Sequence, residues 1–177
     1  MMAKRKRGSG VSGFTLIEMM VVIAIIGLLA GLIMAGLKVA QRQSTNTKAR
    51  HGVAQLKTAW ETFLVDYKRF PDIGANSKEG AYVITGQDVL QILRGREDYK
   101  VNGVVQNPRK LSYMDFHQNA TQYLDPWGKP FRMALDTDYD GKVTAMGQAL
   151  RGNVVVWSAG EDGEDGTDDD VTSWRKE

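Results

Sequence analysis

Gly13-Phe14-Thr15-Leu16-Ile17-Glu18 leads directly into Met19-Met20-Val21-Val22-Ile23-Ala24-Ile25-Ile26-Gly27-Leu28-Leu29-Ala30-Gly31-Leu32-Ile33-Met34-Ala35-Gly36-Leu37. The second stretch holds nineteen residues drawn only from Ala, Val, Ile, Leu, Met and Gly. As a helix rising about 1.5 Å per residue, it is roughly long enough to cross a hydrocarbon core. An ordinary secretory signal has a shorter apolar region with its cleavage site behind it. Here the small-residue, polar junction stands in front. A buried core helix is a poor fit, because no polar face interrupts the run. Gly27 and Gly31 are four apart, so they share one helix face and permit close approach of another helix, although glycine is common in membrane helices in any case.

Glu18 sits at the mouth of this run. At the centre of a membrane helix an acid costs on the order of 2.5–3.5 kcal/mol, and less near the edge. The cost falls if the carboxylate reaches interfacial water, protonates or finds a partner. The residue alone leaves open an interfacial Glu that reaches water and a functional acid with a partner.

Charge is distributed unevenly around the segment. The net charge of +2 conceals nine Lys/Arg against one acid in residues 1–60, and fourteen against twenty acids in residues 61–177. A basic, apolar front and an acidic rear suit a membrane-associated segment joined to a solvated domain. Lys4, Arg5, Lys6 and Arg7 precede the apolar run, but Lys38, Arg42, Lys48 and Arg50 follow it, so the positive-inside count is a tie. The basic residues lack interleaved aromatics, and no nucleic acid partner is expected. There is no cysteine, so an exported domain of this size needs another supplement to its small core.

Beyond the apolar run, Val53, Leu56, Trp60, Phe63, Leu64 and Tyr67 recur at three- and four-residue spacings, with Lys57, Glu61 and Asp66 elsewhere. The spacing predicts a continued helix whose stripe packs on a domain, closed by Pro71. Residues 72–120 are broken by Gly74, Gly80, Gly86, Gly95 and Gly103, with one short helix over 87–93. From residue 121 the pattern turns to short strands at 131–135, 143–146 and 153–157, separated by Gly- and Asp-rich turns.

Two acidic groups stand out. Seven of the ten residues from 161 to 170 are acidic, between a β-rich run ending at Trp157-Ser158 and the apolar Val171 and Trp174. Carboxylates among turn-forming Gly163 and Gly166 are hard oxygen ligands of the kind calcium takes. Calcium would then close the loop in place of a disulfide; a solvated acidic tail is the alternative. Asp136-Thr137-Asp138-Tyr139-Asp140-Gly141 has the start of an EF-hand loop, but the closing Glu position falls on Gly147. A second metal site and a plain β-hairpin turn both remain open there. His117 near Asp115 has no third partner or nucleophile, and His51 stands alone, so both are read as surface residues. Trp157-Ser158-Ala159-Gly160 lacks the leading glycine of a nucleophile elbow. No enzyme is expected.

The basic leader, Gly13-Phe14-Thr15-Leu16-Ile17-Glu18 and the apolar run together closely resemble the prepilin cleavage and methylation motif of type IV pilins and type II secretion pseudopilins. Asp66-Tyr67-Lys68-Arg69-Phe70-Pro71 resembles the helix exit of major pseudopilins. Asp125-Pro126-Trp127-Gly128-Lys129-Pro130-Phe131 resembles their lead-in to the sheet, and Ser158-Ala159-Gly160-Glu161-Asp162-Gly163 with Asp168-Asp169-Asp170-Val171 and Trp174 resembles their calcium loop. One departure is Ala35, where many relatives have proline; any local unwinding would have to use Gly31 and Gly36.

The resemblance implies a pilin-like α+β fold, with a long N-terminal helix, membrane-spanning in its first half, packed on a small antiparallel sheet. The expected organisation is a basic leader (1–13), a transmembrane and filament-core helix (14–38), an amphipathic stem helix (39–70), a loop region (71–120) and a sheet with the acidic calcium loop (121–177). It implies cleavage between Gly13 and Phe14 by a prepilin peptidase, methylation of the Phe14 amine, and pairing of Glu18 with that amine on a neighbouring subunit. Carried over by position, the calcium ligands are the Ala159 carbonyl and Asp162, with later carboxylates from Asp168, Asp169 and Asp170; Asp165 and Asp169 are extra to the usual pattern. Apart from the resemblance, a second metal at the EF-hand-like start would take Asp136, Asp138 and Asp140.

The implied function is that of a structural subunit of a type II secretion pseudopilus, a homo-oligomeric filament that promotes protein export. Its implied partners are the membrane, minor pseudopilins and an inner-membrane assembly platform with a cytoplasmic ATPase. The implied placement is single-pass in the inner membrane, N-terminus cytoplasmic and C-terminal domain periplasmic. A type IV pilin for adhesion, motility or DNA uptake is the alternative; Asp125-Pro126-Trp127-Gly128, the acidic loop and the absence of a cysteine pair favour the pseudopilin.

Overall fold

A computed structural model of the chain describes residues 13–73, 81–96 and 98–175. The basic residues 4–7, Gly74, Gly80 and the side chain of Ala35 lie outside what is described. The fold is α+β and divides into two compact units, Met1–Gln43 and Ser44–Glu177.

One helix, α1 (Leu16–Tyr67, 52 residues), contributes to both units. In the first unit its side chains are exposed, from Leu16 and Ile17 through Leu28, Leu32 and Met34 to Leu37 and Val39. Its most apolar 18-residue window has a mean hydropathy of 2.8 and no buried part. The segment is therefore long and apolar enough to cross a membrane.

In the second unit α1 changes character. Ala49, Val53, Leu56, Ala59, Trp60 and Phe63 are buried, with Leu64 and Tyr67 packed at the edge of the same core. Each large apolar side chain removed from water contributes about 1.5–3 kcal/mol. The helix stops at Tyr67, earlier than Pro71 predicts. Lys68 takes a left-handed backbone (φ 55°) and its N–H closes on the Leu64 carbonyl at 2.8 Å. This is the usual left-handed stop, with a lysine where glycine is commoner, and Pro71 follows a helix that has already ended.

A four-stranded antiparallel sheet lies against this stripe. Its strands are β1 (Val83–Ile84), β4 (Arg132–Leu135), β7 (Val154–Ser158) and β8 (Val171–Thr172), in the order β1-β4-β7-β8. In register, Met133 faces Val156 and Leu135 faces Val154. These side chains join α1 in the main core, while Ala134, Val155 and Trp157 point to the opposite face. That second face is covered by a hairpin of β5 (Lys142–Ala145) and β6 (Gln148–Arg151), whose Val143 and Ala145 are buried. With both faces covered, β7 reads as an unbroken apolar run rather than an alternating one.

The segment between β1 and β4 holds helix α2 (Gln87–Arg94) and the hairpin β2 (Lys100–Val101) and β3 (Val104–Val105). Helix α2 buries Val89, Leu90, Ile92 and Leu93 and is closed by Gly95. A side chain at Gly95 would collide with the Leu111 carbonyl. The buried amides of Gln106 and Asn107 knit this segment. Asn107 Nδ2 donates to the Ile92 and Leu111 carbonyls at 2.7 and 2.8 Å, and Tyr67 donates its hydroxyl to Asn107 Oδ1 at 2.5 Å. The Asp72 N–H donates to Gln106 Oε1 at 2.9 Å. Buried amides satisfied in this way order a stretch that has little regular structure.

Candidate functional site

At the head of α1, Thr15 and Glu18 cap the helix reciprocally. The Thr15 N–H donates to Glu18 Oε2 at 2.8 Å and the Glu18 N–H donates to Thr15 Oγ1 at 3.3 Å. The Thr15 hydroxyl adds a 2.6 Å bond to the same carboxylate oxygen. Two of the unpaired donors at the helix start are thereby satisfied. Thr15 was not singled out from the sequence, although Thr-x-x-Glu before an apolar run is the signature of this box. Phe14 is exposed beside it. Gly27 and Gly31 have nothing within 4 Å of where a Cβ would stand, so the face they share has no partner among the described residues.

The acidic loop between β7 and β8 is ordered by its own backbone. Asp169 Oδ2 accepts the Glu161 and Asp162 N–H groups at 2.6 and 3.2 Å, and its Oδ1 accepts the Thr167 hydroxyl at 2.6 Å. The Thr167 bond, helped by the Asp162 and Glu161 amides, holds the Asp169 carboxyl down to about 2. Asp170 Oδ2 accepts the Gly166 and Thr167 N–H groups at 2.7 and 3.0 Å. Burial, with the neighbouring Asp165 and Asp169 charges, pushes the Asp170 carboxyl up despite those bonds. Its Oδ1 is buried with no hydrogen-bond partner. Asp162 Oδ1 accepts the Glu164 N–H at 2.8 Å, and the Ala159 carbonyl accepts the Gly163 N–H at 2.9 Å. Asp168 is exposed.

Asp165, an extra acid in the sequence comparison, is a brace. Its Oδ1 accepts the Trp157 indole N–H at 2.7 Å and pairs with Arg132, whose guanidinium lies 5.6 Å from the Tyr82 ring centre.

Two of the sequence motifs meet at this loop. Asp125 is buried; its Oδ1 accepts the Trp127 and Lys129 N–H groups at 3.0 and 2.9 Å and fixes the Pro126-Trp127-Gly128 turn. Its Oδ2 accepts the Ser158 hydroxyl at 2.5 Å, at the start of the acidic loop. Lys129 Nζ donates to the Glu161 carbonyl at 2.7 Å and reaches the Gly160 carbonyl at 3.5 Å. A Cβ on Gly163 would stand 2.5 Å from that ammonium and would push it aside, and the φ of 81° itself favours glycine there.

The second acidic group, Asp136, Asp138 and Asp140, lies between β4 and β5. These strands are not hydrogen-bonded to each other, so the loop is a crossing between two layers and not a hairpin turn. One carboxylate oxygen from each of the three lies within 4.8 Å of the others, the arrangement that can hold a metal ion. It is the one such group among the described residues. His51 and His117 are exposed, and the His117 carbonyl accepts a bond from Arg94 at 2.6 Å.

Residues 8–34 match the family described as Prokaryotic N-terminal methylation motif. Over nearly its whole length the chain is similar to the type II secretion system core protein G of Aeromonas hydrophila, 30% identical across 98% of this chain and 96% of that protein. The chain belongs to the type II secretion system core protein G family. The Escherichia coli K12 protein of the same name is 28% identical over 92% of this chain and 90% of its own. A crystal structure of the major pseudopilin of enterohaemorrhagic E. coli aligns with a TM-score of 0.46 at 18% identity, covering 78% of this chain and 93% of that one. As a G-type pseudopilin, and not a type IV pilin, the chain carries the methylation motif over the capped, apolar head of α1.

Proposed function

We propose that a prepilin peptidase cuts this pseudopilin between Gly13 and Phe14, that the new Phe14 amine is methylated, and that the subunit polymerises into a pseudopilus promoting protein export. The observation that carries this reading is the first half of α1, an apolar segment whose described large hydrophobic side chains are exposed. Such a surface needs either lipid or other subunits, and a filament core supplies the second. Glu18 pairs with the Phe14 amine of a neighbour, and Gly27 and Gly31 let helices approach closely. Before assembly the segment anchors the subunit in the inner membrane, N-terminus cytoplasmic and domain periplasmic. The platform with its ATPase and the minor pseudopilins are the assembly partners. The role is structural rather than catalytic.

Mass spectrometry of the N-terminus tests the processing. The expected mature chain begins at a methylated Phe14; a chain still carrying Gly13 in a strain with active peptidase contradicts it. Complementation of a deletion strain tests the export role, with restored release of secreted proteins as the expected result.

The loop at 159–170 is proposed to take calcium, with the Ala159 carbonyl and Asp162, Asp168, Asp169 and Asp170 as its ligands. The buried, unpartnered Asp170 Oδ1 and the all-oxygen donor set fit a hard cation, and Asp169 would share its oxygens with the loop amides. Bound calcium would close the loop in a domain without disulfides. Calcium at a hundred times its dissociation constant adds about 2.7 kcal/mol to stability. A calcium-selective rise in Tm that Asp170→Asn abolishes is expected; an equal Tm in calcium and chelator counts against the site.

A further inference from the structure

We propose that Asp136, Asp138 and Asp140 form a second divalent-cation site, of the calcium class, that ties the β4–β5 crossing to the exit of α1. Three carboxylate oxygens converge within 4.8 Å there, and an acidic group alone would not carry the proposal. The buried member supplies the second observation. Asp136 is 1% exposed, and its Oδ1 has no hydrogen-bond partner. Its other oxygen accepts the Gly141 N–H at 2.9 Å, the one side-chain bond it receives among the described residues. A carboxylate taken out of water with half its lone pairs unmet is costly unless a cation meets it.

Among the described residues, the protein's own cations do not do this. Lys142 lies 3.9 Å from Asp140 Oδ2, with the two side chains 61% and 48% exposed. Pairs of that kind contribute little, and this one leaves Asp136 and Asp138 uncompensated.

The loop backbone holds the two exposed carboxylates close to the turn. Asp138 Oδ1 accepts the Asp140 N–H at 3.3 Å and Asp140 Oδ1 accepts the Lys142 N–H at 2.8 Å, so each acid folds back over the turn. Tyr139 (φ 62°) and Gly141 (φ 81°) provide the left-handed residues that this tight path requires. All-oxygen ligation with a carboxylate at alternate positions suits calcium. With three protein carboxylates and no closing glutamate, the remaining positions fall to carbonyls and water, so the site belongs with the weaker calcium sites.

The consequence lies at the other end of Tyr139. Its ring stacks on Phe70, with centres 6.3 Å apart and planes 5° apart, and its hydroxyl accepts the Phe70 N–H at 3.0 Å. A cation that fixes the Asp136–Gly141 turn therefore fixes the residue that holds the chain leaving α1. This site is independent of the one proposed at 159–170.

Equilibrium dialysis of the full chain in detergent micelles, stripped with chelator and titrated with calcium alone, tests it. The double variant Asp138→Asn/Asp140→Asn changes two exposed side chains, and circular dichroism verifies its fold. We expect it to bind one calcium fewer per chain than wild type, whether wild type binds two or one. The Asp162→Asn/Asp170→Asn variant reports the other loop separately and should keep the Asp136 ion. Wild-type stoichiometry in Asp138→Asn/Asp140→Asn, or no calcium bound by wild type into the millimolar range, would overturn the second site.

Discussion

The two halves of α1 are built from the same helix and do opposite things with apolar side chains. From Leu16 to Val39 large hydrophobics are exposed, whereas from Ala49 to Phe63 they are close to fully buried. The first half is apolar on every side, whereas the second carries its large apolar residues along one stripe among polar ones. An all-round apolar surface cannot be satisfied by one sheet packed on one side, so its partners are outside the chain. A single stripe can be satisfied within the domain, and it is. Substitutions in the two halves should therefore fail in different assays.

The largest contrast is expected between Trp60 and Leu28. Trp60→Ala removes a fully buried ring from the core and should cost about 3–5 kcal/mol in a denaturant melt of the purified protein. Leu28→Ala should leave that melt unchanged. A comparable loss for both would erase the distinction.

Glycines give a smaller version of the same test. A Cβ on Gly52 would stand 2.5 Å from the Phe131 ring, whereas one on Gly27 meets nothing within 4 Å. Gly52→Ala should destabilise the domain by about 1–3 kcal/mol through overpacking. Gly27→Ala should not lower its Tm, and its effect should appear in filament yield.

Thr15→Ala removes the side-chain half of the cap on Glu18 and should weaken the helix start by about 1 kcal/mol. Faster amide exchange at residues 16–18, with no change beyond residue 44, is the expected pattern. The smallest effect belongs to Lys57, which pairs with Glu61 at 3.8 Å on the exposed side of α1. Lys57→Ala should shift stability by less than about 0.5 kcal/mol.

Much of this was legible in sequence because it rests on period and local chemistry. The apolar run, the stripe from Val53 to Tyr67 and three of the four longer strands follow from spacing. Other features depend on contacts between distant residues. Gln106 and Asn107 carry no local signal of being buried fasteners, and Gly52 does not announce Phe131. The β5–β6 hairpin turns through Met146 and Gly147, both at positive φ, and Met-Gly is not a usual pair for such a turn. The β2–β3 turn is different: Asn102-Gly103 is a strong hairpin signal, and its meaning was hidden only by the glycine-rich surroundings. At the acidic loops, composition pointed to metal, but the division of labour did not follow from it. Whether an aspartate braces Trp157, as Asp165 does, or turns inward without a partner, as Asp136 Oδ1 does, is decided by packing.

The most direct test of the account is Glu18→Gln. Glutamine can still complete the cap with Thr15, so the substitution removes charge while keeping the helix start. Filament yield would be measured by shearing and electron microscopy, alongside a melt of the purified protein. The account predicts loss of filaments and of secretion with an unchanged melt. Filaments at wild-type yield would contradict the claim that the first half of α1, through Glu18, works between subunits.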